Sequence, residues 1–265
     1  MATRARRAPD APTPGDGYVQ SFARGLGVIR SFNAQASQQT LSEVAERSGL
    51  TRAGARRILL TLQALGYVST DGKHYALTPR ILELGFAYLT SMPIWNLAEP
   101  VMERLADAVG ESCSAAVLDG SDIIYVLRVH THKIMAINLN VGTRLPAYCT
   151  SLGRVLLAGL DDTEVKARLK ASDIRANTRH TETDVDEILA RVQQVRRQGW
   201  SLVNQELEEG LISIAAPVKN RAGQVIAALN VSGQANRTSA TVMKEQLLPK
   251  LRAAADEVSG LLGRG

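Results

Sequence analysis

The sequence predicts an α+β chain of two domains joined by a helix, and three observations carry that prediction. Its 265 residues, 45 % of them hydrophobic, exceed what one small core takes up. Its positive excess sits at one end: residues 1–90 hold eleven Lys and Arg against six Asp and Glu, and the remainder holds twenty of each. Helical periodicity fills the first part, whereas strands arrive in groups in the second, with helices between the groups. That second pattern belongs to an antiparallel α+β domain rather than a doubly wound one. The expected organisation is a basic, Pro-rich tail at 1–17, a small basic module at 18–79, a linker helix at 80–94 and a larger domain at 95–265.

Several classes are set aside first. No apolar run approaches the roughly 20 residues of a membrane helix, and the N-terminal MATRARRAPDAPTPGDG lacks the apolar stretch of a signal peptide. A cytoplasmic protein with no membrane partner is the expectation. Cys113 and Cys149 make no disulfide scaffold and fall among core-like residues, so both are expected as reduced thiols. A basic module on a neutral domain suggests that the first meets a polyanion; taken alone, the charge is equally met by a basic soluble surface.

The small module is more specific than its charge. SFARGLGVIRSF places Phe22, Leu26, Ile29 and Phe32 at helical spacing. In TLSEVAERSGLTRAGARRILLTLQALG, Thr40 or Ser42 caps a short helix that turns Val44, Ala45 and Ser48 inward. Gly49 permits a tight turn, Leu50 plugs the corner, and Thr51 caps a second helix that buries Ala55, Ile58, Leu59 and Leu62. A small Ala at a close crossing, a Gly at the turn and apolar residues beyond make a helix-turn-helix. Thr51, Arg52, Gly54, Arg56 and Arg57 then face outward at the start of the recognition helix, as donors for a major groove.

YVSTDGKHYALTPR follows, with extended stretches at Tyr67 to Thr70 and Lys73 to Leu77 around Asp71-Gly72. This is a wing, and Lys73 and His74 become expected phosphate contacts. A winged helix can also serve protein contacts, but the confined basic excess favours double-stranded DNA. Arg4, Arg6 and Arg7 of the tail are read as disordered, with weak backbone contacts to DNA or no role. ILELGFAYLTSM offers Ile81, Leu84, Leu89 and Met92 with few charges, so the linker helix is expected to pack on a partner chain. A homodimer suits DNA reading, because two winged helices read paired half-sites.

In the larger domain, a helix is expected from Leu97 to Val109. Two strands then meet at Asp119-Gly120, and KIMAINLNV forms a third. A helix begins near Thr150 and others cover Thr163 to Leu169 and Val185 to Gln198; the closing strands are WSLVNQEL, LISIAAPVK and QVIAALNVS, before a last amphipathic helix. Candidates for chemistry are sparse. Ser151 lacks the G-x-S-x-G elbow, since Cys149 stands where its first Gly belongs, and no base is designated for it. His130 and His132 share one strand face, but no third metal ligand stands at a recognisable spacing, so solvated strand-end histidines are the better reading. Glu206, Glu208 and Glu209 read as a charged turn before Gly210. No catalytic residue, metal or cofactor is expected.

The winged-helix segment, together with RVHTHKIMAINLNVGTRLPAYCTSLGRVLLA and GWSLVNQELEEGLISIAAPVKNRAGQVIAALNVSG, resembles the IclR family of bacterial transcriptional regulators from about Tyr18 to the end. It is similar in particular to the branch that governs aromatic catabolism through the β-ketoadipate pathway, the PcaR, PcaU and PobR type. The resemblance implies a GAF-like effector domain, a small organic acid as effector, and dimers or dimers of dimers on operator DNA. It also implies a pocket between the third strand of the larger domain, the Ser151 helix and the closing strands. On that basis Ile134, Ile137, Leu152 and Leu211 are its walls, and Ser151, Ser213, Asn230 and Ser232 its hydrogen-bonding groups.

Amides at the start of the Ser151 helix suit a carboxylate, and Arg144 offers a bidentate partner for it; a surface arginine beside a turn is the plain alternative. The chain departs from the branch at His130 and His132, where arginines are usual, and at Asn204, where an acid often stands. Protocatechuate, 4-hydroxybenzoate or β-ketoadipate would bias the linker helices around Met92 and so the spacing of two winged helices. The rivals are a regulator for an unrelated organic acid and an enzyme fused to a DNA-binding module. A thermal-shift panel separates the first and a turnover assay the second.

Overall fold

A computed structural model describes residues 15, 17–91, 94–130 and 139–261. The tail arginines Arg4, Arg6 and Arg7, Met92, His132, Ile134, Ile137 and most of the expected third strand lie outside the described residues, as does the side chain of Leu89. Two compact units are present, one ending at Ser91 and the other containing the chain beyond it. Among the described residues no helix is long and apolar enough to cross a membrane.

The first unit contains α1 (Gln20–Arg30), β1 (Gln38–Thr40), α2 (Leu41–Ser48), α3 (Arg52–Ala64), β2 (Val68–Thr70), β3 (His74–Leu77) and, after one 3-10 turn, α4 (Leu82–Ser91). Thr40 opens α2 with a reciprocal capping box: its side chain takes the Glu43 N–H, and Glu43 takes the Thr40 N–H at 2.7 Å. Gly49 closes the helix at φ 66°, a conformation that favours glycine. Thr51 caps α3 by accepting the Gly54 N–H at 3.1 Å. Val28, Val44, Ala45, Ala55, Leu59, Leu62 and Val68 form the core, with Ile58 and Leu50 packed against it.

Two expectations for this unit change. The inward residue of α1 is Val28, while Phe22 is 68 % exposed and Leu26 is exposed as well. Ile29 and Phe32 pack half-buried against the same core, so the stripe of Phe22, Leu26, Ile29 and Phe32 is exposed at its first end and packed at its second. β1 was not foreseen; it pairs Gln38, Gln39 and Thr40 with Ala76, Tyr75 and His74, completing a sheet in the order β1-β3-β2. Asp71 fastens the wing turn by accepting the Lys73 and His74 N–H groups at 2.8 and 2.7 Å. These two bonds, with His74 beside it, hold its carboxyl below the usual range.

The second unit contains α5 (Ile94–Val109), β4 (Ser112–Asp119), β5 (Asp122–Val129), β6 (Arg144–Pro146), α6 (Ser151–Ala158), α7 (Asp162–Ala171), α8 (Val185–Gln198), β7 (Ser201–Asn204), β8 (Leu211–Lys219), β9 (Val225–Gln234), α9 (Ala240–Val242), a π-helical turn at Met243–Leu247 and α10 (Leu248–Leu261). Its strands form one antiparallel sheet in the order β6-β5-β4-β9-β8-β7. Helix α6 lies on one face against β8 and β9, with α8 beside it, while α5 and α10 pack together and against the sheet. Alternation along β8 divides its residues accordingly, Ser213 and Ala215 to one face and Ile212, Ile214 and Ala216 to the other.

Helix α5 starts three residues before the expected Leu97, and β6 was not anticipated. β7 stops at Asn204 instead of running through WSLVNQEL, because Gln205 turns to φ 62° and Glu206 is drawn inward.

Candidate nucleic-acid interface and effector cavity

Helix α3 exposes Thr51, Arg52, Arg56 and Arg57, and the wing exposes Lys73. Among the described residues no carboxylate pairs with Arg52, Arg56, Arg57 or Lys73. Gly54 is half-buried, as is His74, whose Nδ1 lies 3.2 Å from Asp71 Oδ2. Gly54 and Arg57 also line a groove of about 740 Å³ beside α1, which carries Phe22, Leu26, Ile58, Leu65 and Leu84. The exposed apolar surface continues along α4, where Leu82, Phe86 and Tyr88 are uncovered.

In the second unit, register across the sheet builds a polar floor. Ser114 stands between Arg128 and Asn230, and Ser232 stands between Ser112 and Ser213, all on the α6 face. Helix α6 brings Ser151 and Leu152 over this floor. The enclosed cavity is lined by Tyr125, Arg128, Leu139, Cys149, Thr150, Ser151, Leu152, Val203, Leu207, Leu211, Ser213, Asn230 and Ser232. At about 20 Å³ it has room for about one water. Ser151 Oγ and Ser213 Oγ lie 2.8 Å apart, Asn230 Nδ2 donates to Ser232 Oγ at 2.9 Å, and Arg128 donates to Ser114 Oγ at 3.1 Å. Burial holds the Arg128 guanidinium below the ordinary arginine value.

Ser151, Leu152, Leu211, Ser213, Asn230 and Ser232 therefore meet around one cavity, while Ile134 and Ile137 lie outside the described residues. Arg144 is not part of this lining. Strand β6 sets it opposite Ile124, within reach of the β4–β5 turn, where it donates to Asp119 Oδ2 at 2.5 Å and to Asp122 Oδ2 at 3.2 Å. The arginine at the cavity is Arg128, which sequence reasoning missed. In DIIYVLRV, plain alternation sets Arg128 on the face opposite Tyr125. A β-bulge reverses this: Leu127 pairs with Ala115 but Tyr125 pairs with Ala116, so Val126 is the extra residue and Arg128 joins Tyr125 on the cavity face.

The expected charged turn at 206–209 is only half of what is found. Glu208 and Glu209 are exposed, but Glu206 is buried, and Arg154 of α6 meets it with two bonds of 2.7 and 2.6 Å. Arg154 also donates to Tyr148 O, and Arg191 bridges Glu206 to Glu182. This network fixes the segment that presents Leu207 to the cavity. The signal available was an arginine inside the apolar run of SLGRVLLA. Cys113 and Cys149 are buried, and burial pushes their thiols up to about 12 and about 11. His130 is exposed and accepts from Arg128 Nε at 3.4 Å, and Asn204 is exposed at the end of β7.

Two family descriptions match the sequence. "IclR helix-turn-helix domain" covers residues 21–72, and "Bacterial transcriptional regulator IclR C-terminal" covers residues 86–260. The chain belongs to the IclR family. As an IclR-family protein it is a transcriptional regulator and not an enzyme, with a DNA-binding unit and a unit for a small-molecule effector.

Among its relatives, the Pca regulon regulatory protein of Pseudomonas putida is 43 % identical over 242 residues, 91 % of this chain and 83 % of that one. The p-hydroxybenzoate hydroxylase transcriptional activator of Acinetobacter baylyi is 34 % identical, covering 92 % of both. A transcriptional regulator from Rhodococcus sp. RHA1 shares the fold with TM-score 0.83 at 48 % identity, over 93 % of this chain and 99 % of that one. These likenesses support the Pca and p-hydroxybenzoate branch of the family.

Proposed function

We propose that this IclR-family protein regulates aromatic-compound catabolism, binding operator DNA through α3 and the wing and sensing a small organic acid in the cavity beneath α6. The observation that carries the effector reading is the cavity floor. One guanidinium, an amide and several hydroxyls converge on an enclosed space walled by Leu139, Leu152, Leu207 and Leu211, the mixture of apolar walls and a few orienting polar groups that a small acid needs. Relatives that regulate a Pca regulon and activate p-hydroxybenzoate hydroxylase point to the same chemical class.

An aromatic acid is far larger than the space now enclosed, so its entry parts the walls. Binding and conformational change are one event, and that links the cavity to DNA affinity. On the DNA side Arg52, Arg56, Arg57 and Lys73 meet phosphates and base edges, with Thr51, Gly54 and His74 beside them. The working form is a homodimer formed on the apolar faces of α1 and α4, because Phe22, Leu84 and Phe86 would otherwise stand in water.

A gel-shift titration of the full chain against DNA from upstream of its own gene tests this. We expect binding that weakens steeply with salt and a double substitution, Arg52→Ala with Arg56→Ala, that lowers both the affinity and the salt slope. Salt-insensitive binding, or no preference for that DNA, would contradict it.

A further inference from the structure

Helix α3 carries an apolar side chain that its own unit leaves in water. Leu60 is 43 % exposed and joins neither the core nor the lining of the groove beside α1. The other exposed large apolar residues described in this unit lie on α1 or just before it, on α4, or, as Leu65 does, in that groove. A homodimer formed on α1 and α4 gives those residues a cover and gives Leu60 none.

Leu60 shares its face of the helix with Ala53, which stands two turns earlier, roughly 10 Å away along the axis. Arg56 and Arg57 fall between them, one on either side of the line that joins the two. Ala53, Arg56, Arg57 and Leu60 thus have the i, i+3, i+4, i+7 spacing of a single face, opposite the buried Ala55, Leu59 and Leu62. With that spacing a helix lying lengthwise in a major groove reaches base edges. All four are exposed, and among the described residues no carboxylate pairs with either arginine. The face is cationic at its flanks and apolar along its middle.

We propose that Ala53 and Leu60 read thymine through its 5-methyl group, at positions about three base pairs apart at the 3.4 Å rise of DNA. This assignment rests on the proposed binding of α3 to operator DNA. Thymine is the one base whose major-groove edge carries a methyl, so an apolar side chain distinguishes it from cytosine, whose amino group would face a leucine that offers no acceptor. Ala53 is small enough for the backbone of α3 to come close to the bases. A straight helix departs from a curving groove toward its far end, and the longer leucine spans that gap. The flanking guanidiniums hold the face against the phosphates and guanine edges on either side.

DNA from upstream of the protein's own gene, made once with thymidine and once with deoxyuridine throughout, differs only in those methyls. Gel-shift titration of the full chain on both tests the assignment. We expect the uracil DNA to bind at least about fourfold more weakly, the worth of one buried methyl, with an unchanged salt slope because the phosphates are the same. Ala53→Ser combined with Leu60→Gln should weaken binding to thymine DNA and leave the two DNAs bound with equal affinity. Both sites are exposed, and an unchanged melting temperature shows that the double variant is folded. Leu60→Met, which keeps an apolar side chain, should keep the preference. Equal binding of the two DNAs by the natural protein, or an undiminished preference in the double variant, overturns the proposal and leaves α3 as the DNA-binding helix. No preference for the upstream DNA over unrelated DNA overturns it together with the reading beneath it.

Discussion

Arg154 lies within α6 and is as buried as the leucines around it, a position that an unpaired guanidinium could not hold. Glu206 makes it tenable, and removing either partner strands the other. We expect Arg154→Met or Glu206→Gln to cost about 3–5 kcal/mol in urea unfolding followed by tryptophan fluorescence. The double variant should cost less than the sum of the two by about 1–3 kcal/mol, because its second change removes a charge already stranded. Strict additivity would show that the pair does not act as a unit.

The thiols give a pH-linked expectation. Burial raises both above the ordinary cysteine value, so at pH 8 they are protonated and shielded from reagents. A colorimetric thiol reagent should label neither cysteine in the folded chain and both in urea; labelling of one before unfolding would contradict the burial. At this scale the sequence pointed to Ser213, Asn230 and Ser232 only through its family resemblance, and the structure gathers all three at one cavity. It was not legible for Arg128, whose face is set by a bulge, or for Arg154, whose partner lies 52 residues away.

Helix α6 sits close on the chain leading into it. A Cβ on Gly153 would strike the backbone of Ala147 at its O, Cα and C atoms, which cannot yield as a flexible side chain would. Gly153→Ala should therefore destabilise the protein by about 1–3 kcal/mol in the same assay. Gly25→Ala should have the opposite sign: the position lies inside α1, and its added methyl meets nothing within 4 Å. There alanine relieves the usual helix-interior penalty of glycine, about 0.5–1 kcal/mol. Equal effects at the two glycines would show that packing at Ala147 does not matter.

Elements whose ends carry local chemistry were the readable ones. Thr40, Gly49 and Thr51 marked α2 and α3, Asp71-Gly72 marked the wing, and Asp119-Gly120 marked the β4–β5 turn. β1 and β6 were missed because each is three residues long and has little internal pattern; each exists because a longer strand offers it an edge. The helical spacing of Phe22, Leu26, Ile29 and Phe32 was legible, but not that Ile29 and Phe32 pack on the core while Phe22 and Leu26 stay exposed, which only packing against α2 and α3 decides.

For the whole molecule, the division of charge seen in the sequence matches a division of labour. The basic unit carries the wing and the arginines of α3, which pair with no carboxylate among the described residues, and the neutral unit carries the cavity. The account requires that the two communicate: an acid closing on Arg128 must change how strongly the winged helices hold DNA. Fluorescence anisotropy of labelled upstream DNA, titrated with the full chain at fixed salt with and without 4-hydroxybenzoate, measures this directly, with Arg128→Gln run beside the natural protein. The account predicts that the acid shifts DNA affinity of the natural protein by roughly 5–150-fold, and that Arg128→Gln binds DNA as the natural protein does but ignores the acid. An acid that binds without moving the DNA affinity, or one that moves it equally in Arg128→Gln, would contradict the account.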